Sequence, residues 1–129
     1  MNGTIVVELV GATCLCATGI SHWLHPEAWS EHFARLAEKG NAGALSNGLM
    51  HAGVGAFFVA SHPVFFGWRA LLTYWALAVL AKGLFYLVAP EVGVRSMAAC
   101  TPERARRLRW AGLPMTILGL VVAGIALIP

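Results

Sequence analysis

Four stretches of this chain, roughly 4–24, 44–62, 70–89 and 110–129, each carry at most one Asp, Glu, Lys or Arg. Each is about 18–21 residues long, and about 20 residues of helix cross a bilayer core of roughly 30 Å. A soluble helical protein would need a polar face on every one of these stretches, and none has one. Only 12% of the residues are charged and 58% are hydrophobic, whereas a soluble domain carries about 25% charge. The spacing of charge therefore predicts an all-α membrane protein whose only large apolar core is the helix bundle itself. Residues 1–5, MNGTI, hold no Lys or Arg ahead of the first apolar run. The run thus lacks the basic leader of a signal peptide and reads as a retained crossing.

The remaining charge falls between the stretches. Segment 25–43 holds Arg35 and Lys39; segment 90–109 holds Arg95, Arg104, Arg106, Arg107 and Arg109; segment 63–69 holds only Arg69. Seven basic residues against one place the first and third connections in the cytoplasm and both termini outside. Arg104, Arg106, Arg107 and Arg109 then read as an anchor to anionic lipid headgroups rather than to nucleic acid. The three cysteines, Cys14, Cys16 and Cys100, include no CxxC pair, and they read as small apolar residues rather than a disulfide or zinc framework.

The chain also repeats itself. TGISHWLHPE (18–27) and KGLFYLVAPE (82–91) both place Gly seven residues before Pro-Glu, at an offset of 82 − 18 = 64. The same offset carries Gly48-Leu49 onto Gly112-Leu113 and Gly55 onto Gly119 without a gap. The expectation is two tandem helical hairpins, 1–65 and 66–129, in the same orientation and related by an axis along the membrane normal. The glycines would let the four crossings approach closely. In the first connection, Pro26 suits a helix start and Gly40 its end. Between them Trp29, Phe33 and Leu36 share a face, and Glu31–Arg35 is a favourable i, i+4 pair. This predicts an amphipathic helix lying on the headgroups, aromatic face down. Thr101 and Pro102 suit a second helix start that runs into the fourth crossing.

Each half resembles the YjeT-like family of very small bacterial inner-membrane proteins. The likeness rests on Gly19 to Pro26 and Gly83 to Pro90, Trp29, the LAEK at 36–39, and the 22-residue step from each Pro to Gly48 or Gly112. The chain departs from that pattern in being duplicated and in carrying Thr18 and Lys82 where the family tends to carry an acid. The family has no established activity to carry over, so the resemblance implies architecture only.

Chemistry is expected where polar groups enter the crossings. Lys82 lies seven residues from the end of the third stretch, about 10 Å deep at 1.5 Å per residue. His51 lies at a comparable depth on the second, with Asn47, Tyr86, Thr18, Ser21 and His22 nearby. An ammonium inside a bilayer costs roughly 2.5–3.5 kcal/mol and marks a site unless it snorkels to the headgroups. The site reading takes Lys82 as cation, with His51, Asn47 and Tyr86 as hydrogen-bonding neighbours for an anionic headgroup, a carboxylate or a quinone oxygen. Glu8 is the only acid inside a crossing, with Tyr74, His62 or Arg69 as partner. It reads either as a carboxylate hydrated from outside or as one end of an ion path. His22 and His25 have metal-ligand spacing, with Glu27 or His32 to complete a set; haem on His51 would need a second histidine at its level on another helix, or a five-coordinate iron. No nucleotide, nucleophile-elbow or HExxH motif is present. Three classes of function remain. The first is a non-catalytic accessory or structural subunit, partnered by other membrane subunits or by itself and needing no cofactor. The second is a small oligomeric transporter or channel using Lys82 and His51. The third is a haem-, metal- or quinone-linked redox protein.

Overall fold

The computed structural model describes residues 3–128, and all regular structure among them is helical. In chain order the helices are α1 (Gly3–Leu24), α2 (Pro26–Glu38), α3 (Asn41–Ser61), α4 (Ala70–Val88), α5 (Pro90–Ala98) and α6 (Ala105–Leu127). A single 3₁₀ turn, Pro102–Arg104, leads directly into α6. Four segments are long and apolar enough to cross a membrane: α1, α3, α4 and the continuous run Pro102–Leu127. The chain is an all-α, multi-pass membrane protein.

Proline and glycine set the breaks. α1 ends at Leu24, two residues before Pro26, and α4 at Val88, two residues before Pro90. A proline lacks the N–H needed to continue a helix and restricts the residue before it, but suits the first turn of the next helix. His25 (φ −128, ψ 51) and Ala89 (φ −129, ψ 67) adopt nearly the same break conformation 64 residues apart. Gly40, at φ 58, follows the end of α2 in the left-handed region that a side chain would strain. Gly67, at φ 73, turns the short connection between α3 and α4.

The crossings do not pack as two hairpins. α1 lies along α6 and α3 along α4, while α1 with α3 and α4 with α6 touch only sparsely. Each crossing of one half thus finds its main partner in the other half. Two glycine contacts explain the pairing. A Cβ on Gly19 would sit 2.6 Å from the Gly112 carbonyl oxygen, and one on Gly83 would sit 2.7 Å from that of Gly48. In the same way Gly55 meets the backbone of Leu80, and Gly119 meets that of Cys16. All of these positions are related by 64. Lipid tails offer no hydrophobic drive between helices, so such backbone-to-backbone approach is a main source of attraction. Both helix pairs meet at a core of Ala12, Leu15, Phe58, Leu72, Ala76 and Val122.

Helices α2 and α5 pack on one another across one end of the four crossings, and Ser30 Oγ donates to the Cys100 carbonyl at 2.7 Å. The expected Glu31–Arg35 pair forms. The aromatic face of α2 differs from expectation. Trp29 stacks on His22 (4.1 Å, 15°) and donates from Nε1 to Ser21 Oγ at 3.0 Å. Trp29, Phe33 and Leu36 are all half-buried by the chain itself. The face seats on the bundle as well as facing outward, because the bend at Pro26 folds α2 back beneath α1.

Candidate functional site

Two polar constellations lie on one stripe of α3. His51, Gly55, Phe58 and His62 follow i, i+4, i+7, i+11 spacing, so they share a face. The histidines are eleven residues, about 16 Å, apart. Phe58 lies between them, edge-on to Trp75 of α4 at 5.8 Å between ring centroids. The packed core thus separates the two constellations.

The first sits at the end bearing the 62–69 connection. Pro63 stops α3, leaving His62 as its C-cap, and the short connection brings Arg69 and Thr73 back over Glu8 of α1. Glu8 is 1% exposed, and His62 and Thr73 are 0% exposed. Glu8 Oε1 lies 2.9 Å from His62 Nε2, and Arg69 donates to Glu8 Oε2 at 2.9 Å. Thr73 Oγ1 donates to the His62 carbonyl at 2.6 Å and lies 2.8 Å from His62 Nδ1. The expected partners His62 and Arg69 are therefore both engaged, whereas Tyr74 donates instead to the Phe65 carbonyl at 2.9 Å. Glu8 is not the water-exposed carboxylate that its depth suggested, because the 62–69 connection covers it. Through Glu8, His62 and Thr73 this cluster ties α1 to the α3–α4 pair by polar contacts, beside the apolar core that the two pairs share.

The second constellation lies toward the end capped by α2 and α5. Lys82 Nζ is 3.1 Å from His51 Nε2, and the ammonium lies 5.6 Å from the Tyr86 ring centroid. His51 Nδ1 is 2.9 Å from the Asn47 carbonyl, which can only accept. Nδ1 therefore carries the ring proton, and Nε2 offers its lone pair to the lysine. Lys82 shares a stripe of α4 with Trp75 and Tyr86, yet its side chain remains exposed while Tyr86 is buried. Among the described residues no carboxylate pairs with it, so the ammonium keeps donors beyond the one His51 takes. Asn47 departs from expectation. Its side chain turns from Lys82 to the Met97 sulfur at 3.2 Å in a buried contact with α5, and only its backbone meets His51. Burial pushes the Cys100 thiol above its ordinary range, and the nearby Lys82 charge opposes that rise.

The histidines considered for a metal do not converge. The His22 Nδ1 faces the Thr18 carbonyl at 2.9 Å and its ring is covered by Trp29, while His25 is exposed at the break between helices. Among the described residues no group of three His, Cys, Asp or Glu side chains is placed to hold a metal. The site members that sequence reasoning undervalued are His62, Arg69 and Thr73. The available signal was a His-Pro stop followed seven residues later by Arg, a connection too short to lie away from Glu8.

Fold and polar constellations together define a small multi-pass membrane protein with two separate intramembrane polar clusters. No protein-family model matches the chain, and neither the curated proteins nor the solved structures include a significant match.

Proposed function

We propose that this chain is a small, non-catalytic subunit of a bacterial inner-membrane assembly, built by tandem duplication, with both termini outside. Its docking element is the Lys82–His51 pair, and its partner is a membrane segment that offers a carboxylate at the same depth. The observation that carries this reading is an ammonium about 10 Å inside a crossing, bonded to a neutral imidazole and left exposed. An intramembrane charge is normally paired or enclosed, and this chain does neither. The core at Leu15, Phe58, Leu72 and Val122 is filled with apolar side chains, which favours assembly over a solute path through one chain. The test extracts the protein in native lipid nanodiscs and measures the particle's mass. Wild type runs as a defined complex, and Lys82→Met and His51→Leu release the single chain with its helix content unchanged. Recovery of wild type as a single chain overturns the reading.

A second reading is favoured by the stripe that Lys82 shares with Trp75 and Tyr86. In it, copies of the chain enclose the pair as a binding point for an anionic solute. Vesicle uptake that is lost in Lys82→Met, with assembly intact, selects that reading.

A further inference from the structure

The Glu8–His62 contact constrains its own protons. The Thr73 hydroxyl has one hydrogen. At 2.6 Å from the His62 carbonyl, which has none to give, that hydrogen must lie between the two oxygens. Thr73 Oγ1 can then only accept from His62 Nδ1, 2.8 Å away, so Nδ1 is an N–H. A neutral imidazole has a bare Nε2 in that tautomer. Glu8 Oε1 stands 2.9 Å from that nitrogen. A lone pair facing an ionised carboxylate at this distance, both fully buried, is repulsive. Arg69 occupies the other oxygen and supplies no hydrogen to the gap.

We infer that Glu8 and His62 form a proton-binding site, holding one proton between Oε1 and Nε2. Whichever atom bears it, the cluster of Glu8, His62 and Arg69 totals one positive charge. The groups that face the site are few. α1 contributes Glu8 and α3 His62; the connection contributes Arg69, and α4 Thr73. Tyr74 is engaged with the Phe65 carbonyl, and the nearby end of α6 is apolar through Val122, Ile125 and Ala126. The way in runs past Arg69, whose side chain is 35% exposed. An open recess of about 390 Å³ lined by Phe66, Trp68, Arg69, Ile125 and Ile128 reaches it. The proton comes from the side of the membrane that this connection faces. Because the cluster bridges α1 and the α3–α4 pair, binding the proton tightens the joint between the two helix pairs, and losing it loosens the joint.

The sign of the pH effect follows from counting. Separated in the unfolded chain, Glu8 and His62 share no proton, whereas the folded geometry holds one between Oε1 and Nε2. A folded state that binds more protons loses stability as pH rises, by up to about tenfold in the unfolding constant per pH unit for one proton. Glu8→Gln is the decisive variant. Its amide oxygen can accept from Arg69 and its NH₂ can donate to a neutral His62, so the joint persists without a titratable proton.

Two measurements on the full chain in lipid test the site. The first is ¹⁵N resonance of the His62 ring together with the Glu8 carboxyl infrared band near neutral pH. Either a doubly protonated ring or a protonated Glu8 is expected; a ring bare at Nε2 beside an ionised Glu8 overturns the inference. The second compares unfolding of wild type and Glu8→Gln between about pH 6 and 9. A wild-type loss of stability with rising pH that Glu8→Gln lacks is expected, and identical slopes overturn it. If Glu8→Gln does not fold, the spectroscopic result on wild type decides alone.

Discussion

Gly83→Ala tests whether backbone contact holds the helix pairs together. The added Cβ would lie 2.7 Å from the Gly48 carbonyl oxygen and 2.7 Å from the Ala52 Cα, and closer still to the Ala52 nitrogen. Ordinary contact begins at 3.4 Å, so relieving the Gly48 carbonyl contact alone parts α3 and α4 by 3.4 − 2.7 = 0.7 Å, and the nearer Ala52 nitrogen demands more. The obstructing atoms are backbone and cannot swing aside. A gap of 0.5–1 Å forfeits about a quarter to a half of each dispersion contact along the seam, and overpacking of this kind costs roughly 1–3 kcal/mol. Gly53→Ala is the internal control, because nothing lies within 4 Å of its Cβ position. Both substitutions gain the same helix propensity, so the difference between them isolates the contact. Reversible unfolding in lipid–detergent mixtures, followed by circular dichroism, should place Gly83→Ala below Gly53→Ala by about 1–3 kcal/mol. Gly19→Ala, its counterpart against Gly112 in the α1–α6 pair, should behave like Gly83→Ala. Equal stability of the Gly83 and Gly53 variants would refute the pairing.

Thr73→Val removes the donor to the His62 carbonyl and the acceptor for Nδ1; it should cost about 1–3 kcal/mol in the same assay, with Thr73→Ser close to wild type. Cys100, kept as the only cysteine in a Cys14→Ser, Cys16→Ser background, should react with a thiol reagent along a pH profile displaced upward, because burial disfavours its thiolate. Lys82→Met removes the opposing cation and should move that profile further up; a downward move would contradict the Lys82–Cys100 proximity.

Much of the architecture was legible because a bilayer imposes it. Helix length and the absence of charge located all four crossings, and Pro26, Gly40 and Pro102 located the breaks. The pairing of crossings was not legible. A repeat with one connection per half suggests hairpins, yet the connections 25–43 and 90–109 hold α2 and α5 and are long enough to lead each second crossing to the other half. The glycines that fix this pairing were visible, but a single sequence does not say which glycine meets which. Depth along a helix put His51 and Lys82 together correctly. It misjudged Asn47, because the buried Met97 on α5 offers a partner that no count along α3 or α4 reveals. Glu8 shows the same limit. Its partners could be named from their level, but its burial depends on how the 62–69 connection folds over it.

The proposed assembly role rests on Lys82 being covered by a partner, and the chain's own composition supplies the control. Its lysines are Lys39 and Lys82, both exposed in the single chain. A membrane-permeant amine reagent, read out by peptide mass spectrometry, can compare native membranes with the purified chain reconstituted sparsely in the same lipids. Lys39 should react equally in both. Lys82 should be protected in native membranes and become reactive in the isolated chain; equal reactivity of Lys82 in the two preparations would contradict the account.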